Sequence, residues 1–378
     1  MQNFRFTQLL MLLILGAATL DAQAIPAFAR QEGVKCSSCH NAWPQLNAKG
    51  RSYKENGYRF SGDLDEPRKL GDLLEDSPPL AALLVARPYD KKKSGDPKNR
   101  SFHEFELFAG GAFNDNWSGY AELEAEDETD FAPEVALGAV NYRLTNALNF
   151  SMGWAPYLWT DGYGLLGDRF KMTRGHAAVV NSAFGGADGG SGLRASRQVA
   201  SLYGRPFKQL FYNVGYSGVA KDAEGEDASN LHARLAFDLT PNLMFGGFVV
   251  DGKNSGANQN FTRTGVDFQA DVLGARFQGA YIEGKDDVAG GGEASNTTYS
   301  LQAMYLFTAN SAPTWAPVVR LDSSETNDGN DKTTELTLNL TRYFSQNIKG
   351  FIEYWKELDT PGGGDANDRI TAQISLAF

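Results

Sequence analysis

From about residue 79 to residue 378 the chain repeats one unit: roughly ten residues that alternate apolar with polar or small, then a turn. In Thr333–Phe344, Leu336, Leu338 and Leu340 share one face of an extended chain, and Glu335, Thr337, Asn339 and Thr341 share the other. Asn230–Leu239 repeats the arrangement, with His232, Arg234 and Asp238 on the polar side. Period-two alternation predicts strands with one apolar face. A soluble sandwich also alternates, but strands of about ten residues in long series match a tilted membrane-spanning barrel. Inner faces bearing Arg, Glu and Asp suit a wet lumen better than a core. The last strand, Arg369–Phe378, puts Ile370, Ala372, Ile374, Leu376 and Phe378 on one face and ends on an aromatic. That ending resembles the assembly signal of bacterial outer-membrane barrels.

The connections sort by length. Short ones are expected at Asn114-Asp115-Asn116, Thr145-Asn146-Ala147, Arg205-Pro206, Thr240-Pro241-Asn242 and Ser345-Gln346. Long ones interleave with them near 91–101, 127–133, 158–192, 220–229, 252–260, 285–294, 323–332 and 358–368. In outer-membrane barrels the short turns are periplasmic and the long loops extracellular. The first strand, Leu80–Tyr89, then runs outward, and eight long loops imply 16 strands, with 14 as the alternative. The long loops are Gly-rich and acidic, as in Asp127-Glu128-Thr129-Asp130. Solubility explains most of that charge, and a rim that concentrates cations is the functional reading.

The fold class expected is therefore all-β: a transmembrane antiparallel barrel at residues 79–378, preceded by a small plug at 25–78 of mainly helical or irregular structure. Residues 1–24 read as a signal peptide, with Arg5, the apolar run Leu9–Leu15 and the cleavage site Ala22-Gln23-Ala24. The apolar run is too short to span a bilayer. A formal net charge of −11 argues against nucleic acid as partner.

The plug carries the chemistry. The chain has two cysteines, and both lie in Cys36-Ser37-Ser38-Cys39-His40. This is the C-x-x-C-H pattern of c-type haem attachment. Cys36 and Cys39 bond to the haem vinyl groups, and His40 offers an imidazole nitrogen to the iron as proximal ligand. The alternatives are a disulfide, a redox pair or half a zinc site. A zinc site wants four ligands and no second cysteine pair exists; a redox C-x-x-C is expected beside a βαβ pattern, which is not visible. Bacterial c-type haem is attached on the exported side, in agreement with the signal segment.

A c-type cytochrome commonly brings a second axial ligand, Met or His. Between His40 and the first expected strand there is neither. A segment this small does not bury a haem alone, but tucked into a barrel lumen it can. The candidate distal ligands, in order, are His232, which has lumen-facing parity, then His176 and Met172, both in a loop long enough to fold back into the lumen. His103 shares parity with Phe105 and Leu107 and is expected to face lipid or the aromatic girdle, and Met152, in phase between Phe150 and Trp154, is expected to face lipid.

Ile25-Pro26-Ala27-Phe28-Ala29-Arg30, Gly33, Cys36-Ser37-Ser38-Cys39-His40, Trp43-Pro44-Gln45-Leu46-Asn47, Gly50, Lys54 and Gly57-Tyr58 together resemble the N-terminal segment of fused cytochrome–porins. In these outer-membrane proteins a monohaem domain precedes a porin barrel, and the best-known members look like iron oxidases. The resemblance implies one covalent haem c and an electron conduit, an Fe(II):cytochrome c oxidoreductase. Extracellular Fe(II) or another external donor would reduce the haem, and a periplasmic c-type cytochrome would take the electron. It also implies lipid of the outer membrane as surroundings, a periplasmic N-terminus and extracellular acidic loops. Arg30, Lys35, Asn41 and Asn47 flank the motif as contacts for haem propionates or the lumen wall. The two competing readings are a transport porin whose haem segment is a plug or sensor, and electron export to an external acceptor.

Overall fold

The computed structural model describes residues 27–60, 78–167, 171–182, 184–226, 229–326 and 328–378. The expected signal segment 1–24 and most of the stretch joining the plug to the first barrel strand lie outside the described residues.

The alternating segments form strands that pair antiparallel with their sequence neighbours and close into a barrel. The first eight long strands are β3 (Leu80–Lys92), β4 (Lys98–Ala112), β5 (Trp117–Glu126), β6 (Glu134–Thr145), β7 (Leu148–Ala155), β8 (Arg197–Phe207), β9 (Leu210–Ser217) and β10 (Asn230–Thr240). The others are β11 (Leu243–Asn254), β12 (Gln259–Val272), β13 (Ala275–Asp287), β14 (Glu293–Tyr305), β16 (Ala312–Thr326), β17 (Asp331–Tyr343), β18 (Ile348–Asp359) and β19 (Asp368–Ala377). The three-residue β15 (Phe307–Ala309) continues β14 past Leu306 against the same partner, β16, so the barrel has 16 strands. The last strand pairs with the first, Leu376 opposite Leu84, which leaves no open edge.

Which side is wet follows from the alternation. Leu231, Leu235 and Phe237 of β10 stand exposed, while His232, Arg234 and Ala236 between them are buried. The final strand repeats this, with Ile374 and Phe378 outward and Thr371, Gln373 and Ser375 inward. Apolar residues outside and polar residues inside invert a soluble core and give the surface a bilayer's hydrocarbon covers. Aromatic side chains cluster near the short-turn end: Trp117 meets Tyr142 at 4.8 Å and Tyr305 meets Phe307 at 4.8 Å between ring centroids. They form the girdle expected at a membrane interface.

Eight long loops alternate with seven short turns. Two short turns, at Leu273-Gly274 and Asn310-Ser311, escaped the sequence reading, and both have residues in the left-handed region, where a two-residue hairpin turn requires them. Arg205 and Pro206 lie within β8, not in a turn; the chain reverses at Lys208-Gln209.

The lumen is filled from two directions. Before the barrel, α1 (Ala27–Gln31), a 3-10 turn at Cys36–Ser38, the short strands β1 (His40–Ala42) and β2 (Gln45–Leu46), and α2 (Ala48–Glu55) form the plug. From above, the connection between β7 and β8 folds inward with α3 (Gly164–Gly167) and α4 (Ala178–Asn181), and buries Leu166, Val179, Val180 and Phe184 against Val250, Phe261 and Ile282 of the wall. Buried ion pairs fix both to the wall: Arg205 of β8 pairs with Glu55 of α2, and Arg234 bridges Asp161 of the loop to Asp267 of β12. Gly246 leaves the room that Arg234 fills; a Cβ there would lie 2.7 Å from both the guanidinium carbon and Asp267 Oδ1.

Candidate haem site

The C-x-x-C-H motif sits at the short-turn end of the lumen. Cys36 opens the 3-10 turn, closed by Cys39 N–H donating to Cys36 O at 3.1 Å, so both sulfur-bearing residues face one side. They are not joined as a disulfide. The turn is tied down from both flanks. Cys36 N–H donates to Gln346 Oε1, in a short turn of the barrel, at 3.0 Å. Asn47 holds the other end: its N–H donates to Cys39 O at 2.9 Å, and its Nδ2 donates to Ser38 O at 3.1 Å. Asn47 also caps α2, accepting from Gly50 N–H at 2.9 Å. One side chain thus couples the motif to the helix behind it.

Gly50 lies on the same contact. A Cβ there would stand well inside the Cys39 carbonyl oxygen and 2.9 Å from Leu46 Cδ2. The nearer neighbour is the Cys39 backbone, which would have to shift together with the motif it belongs to. Gly50→Ala is expected to lower haem per folded barrel severalfold, read as haem stain over protein on a denaturing gel, with unboiled barrel mobility unchanged.

Cys36, Cys39 and His40 line one cavity between the plug and the barrel wall. Its other walls are apolar and aromatic: Phe28, Tyr53, Tyr58 and Phe60 from the plug, Leu83, Phe108 and Tyr120 from the strands, and Trp159 from the inward loop. Phe28 stacks on Tyr58 at 4.7 Å between ring centroids on the plug's own side. His40 Nδ1 donates to Pro44 O at 3.0 Å, because a carbonyl only accepts; this leaves the Nε2 lone pair available to a metal. Desolvation pushes the imidazole down to about 4, which keeps the ring in the neutral form that ligates.

Two thiols on one turn, a neutral imidazole with a free nitrogen and an apolar cavity about them fit a covalently held haem. Cys36 and Cys39 would carry it, His40 would bind its iron, and the aromatic walls would exclude water. A group bound there would supply one-electron redox chemistry; the chain's residues would hold it, orient His40 and keep water from it.

The three candidate distal ligands are not brought to this cavity. His232 lies in the wall, with Nε2 3.0 Å from Asn213 Oδ1 and its ring 5.5 Å from Tyr157. Met172 packs behind the plug with Ala42 and Trp43, its sulfur 3.6 Å from the Tyr343 hydroxyl. His176 lines a separate chamber farther up the lumen. Among the described residues, no other His and no Met lines the haem cavity. Of the flanking polar residues, Arg30 reaches the wall, donating to Leu80 O and to Pro78 O at 3.3 Å.

His103 is a correction. It does not face lipid: it is buried, with Nδ1 2.9 Å from Asp127 Oδ1. The register of β3 against β4 slips between Val85–Glu104 and Arg87–Arg100, two residues against four. This bulge breaks the alternation between Phe102 and Glu104 and turns His103 inward. Met152 is outward, as expected.

Sequence reasoning missed five inward carboxylates, Glu104 and Glu106 on β4 and Glu122, Glu124 and Glu126 on β5. Their signal was present as E-x-E and E-x-E-x-E at strand period, which fixes them all on one face.

No known protein family and no curated protein matches the chain. Solved structures do match in shape. An anion-selective porin from Comamonas acidovorans superposes with a TM-score of 0.61 at 16% identity, over 79% of this chain and 98% of that one. The barrel has the porin fold. OmpF of Salmonella typhi, in complex with daunomycin, matches at 0.58 and 13% identity over 79% and 97%. The outer-membrane channel DcaP of Acinetobacter baumannii matches at 0.54 and 11% over 79% and 95%.

Proposed function

We propose that this protein is an outer-membrane electron conduit. One haem c, held by Cys36 and Cys39 with His40 on its iron, takes electrons from extracellular Fe(II) or another external donor and passes them to a periplasmic c-type cytochrome. The observation that carries this reading is the convergence of all three motif residues on one apolar cavity inside the barrel. The site's position supports the direction of exit. Its plug is anchored on the short turns, where Arg59 donates to Asp115 O at 2.6 Å and Asn114 O at 3.1 Å. In outer-membrane barrels that end is periplasmic, within reach of a soluble acceptor. Adding Fe(II) to isolated outer membranes tests it: the reduced bands of a c-type haem are expected to rise. A c-type spectrum that Fe(II) leaves oxidised would overturn the iron reading, and a midpoint potential well below ferric/ferrous couples would point to electron export instead.

The second reading is a transport channel with a haem-bearing plug, favoured by the porin fold. The filled lumen speaks for the first. In planar bilayers the intact protein is expected to show no conductance step of open-porin size; such a step with the plug and haem in place would favour transport.

A further inference from the structure

The helix behind the motif distinguishes the two ends of the haem cavity. Gly50, Tyr53 and Lys54 of α2 line it, at the i, i+3, i+4 spacing of one helix face. Gly50 lies at the cysteine end, against the Cys39 carbonyl. Lys54 is one turn farther on, roughly 6 Å along the helix axis. There its Nζ donates to Asp161 O at 2.8 Å and stands 4.8 Å from the centroid of the Trp159 ring. Both partners belong to the inward loop, and Trp159 lines the cavity together with Lys54.

Charge is scarce along this lining. Besides His40 and the two thiols, its titratable groups are Glu32, Lys35, Lys54 and the tyrosines Tyr53, Tyr58 and Tyr120. Glu32 accepts from the Tyr53 hydroxyl at 3.3 Å. Lys35 stands exposed beside Cys36. Nearby carboxylates are turned elsewhere: that of Asp161 to Arg234, and that of Glu55 to Arg205. Among the described residues, Lys54 is the only lysine or arginine of the lining that is not exposed.

A haem c brings two carboxylates with it. Its thioethers take the two vinyl-bearing pyrroles, and the propionates stand on the other two. A carboxylate enters an apolar cavity at high cost unless a cation meets it. The polar residues that flank the motif are placed for other contacts. Arg30 donates to Leu80 O and Pro78 O, Asn47 holds Ser38 O and the Gly50 N–H, and Asn41 does not line the cavity.

We propose that Lys54 is the residue that receives a haem propionate, at the end of the cavity remote from the cysteines, and ties it to the inward loop through Asp161 O. The proposal rests on the haem reading, and it makes Lys54 a positioning residue. An ammonium has three donors, so the Asp161 carbonyl and a propionate oxygen can be met together. A cation beside the propionate favours the reduced iron, which carries one positive charge fewer. It also keeps the carboxylate ionised to lower pH.

The test is an optical redox titration of the full-length, haem-loaded protein in detergent, repeated across pH. Lys54→Gln keeps a donor for Asp161 O and loses the charge. Its midpoint potential is expected to fall at neutral pH, and the step over which the midpoint drops with rising pH is expected to move upward. Haem per barrel stays at the wild-type value, because attachment is at the cysteines. Lys54→Arg, which keeps the charge, is expected to follow the wild type in midpoint and pH step. Lys208→Gln, which removes the same charge from an exposed short turn, is expected to do so too. A Lys54→Gln protein with the wild-type midpoint and pH step, or an equal fall in Lys208→Gln, would overturn the proposal. So would a change of spin state in Lys54→Gln, which marks a lost iron ligand and not a lost propionate partner. Should Lys54→Gln not form a compact barrel, Lys54→Leu is read by the same criteria. A wild-type barrel without covalent haem sinks the haem reading and this proposal with it. A haem-loaded wild type whose midpoint is indifferent to Lys54 sinks the proposal alone.

Discussion

Replacing Cys36 and Cys39 together by Ser is expected to yield a folded barrel with no covalent haem. Attachment uses the two thiols on the turn that Cys39 N–H closes on Cys36 O, and a hydroxyl does not replace the thiolate chemistry of either. The barrel survives because its closure rests elsewhere, on ladders such as β19 with β3 and on the outward apolar face. Haem staining of a denaturing gel reads the loss, and unboiled mobility reads the fold. Each single variant is expected to retain one thioether and a fraction of the stain. Full staining in the double variant would mean that the cysteines do not carry the group.

The second large effect is on stability. Arg234 is fully buried, with Nε 2.9 Å from Asp161 Oδ2 and Nη2 2.9 Å from Asp267 Oδ2. Arg234→Met removes the guanidinium shared by both pairs and leaves the buried Asp161 and Asp267 carboxylates without it. Breaking a buried pair in this way costs about 3–5 kcal/mol. Because Asp161 belongs to the inward loop and Asp267 to the wall, the loop should loosen before the barrel does. The expected readout is a lower urea midpoint for the loss of compact mobility, together with earlier protease cleavage within 156–196. Arg234→Lys keeps the charge but not the two-sided fork, and should fall between. A variant as stable and as protected as the wild type would contradict the assigned lock.

How much of this was legible in the sequence depends on the range over which each feature is decided. The strands were legible because a bilayer outside and a polar lumen inside impose period two on every ten-residue stretch, so Leu338 and Asn339 declare their faces locally. The count of 16 followed from loop lengths alone. His103 was misjudged because a bulge is set by pairing with β3, and nothing in Phe102-His103-Glu104 announces the slip. The C-x-x-C-H motif was legible because its residues lie together within five positions of the sequence. The residues completing the site were not, since Phe108, Tyr120 and Trp159 reach it only through barrel closure and the inward loop. The glutamates of β4 and β5 lay in plain view as alternating acids. What hid them was the rule itself, which assigns inward polar residues to a wet wall and does not ask which strands stand side by side.

The central claim is that the chain carries one haem covalently within a porin-type barrel. The most direct measurement is the haem-to-protein ratio of the wild-type chain, expressed with c-type maturation machinery, purified as a compact barrel and then denatured. A ratio of one, with neither cysteine titratable as a thiol, is the expected result. A barrel that folds with both thiols free and no haem attached would contradict the account.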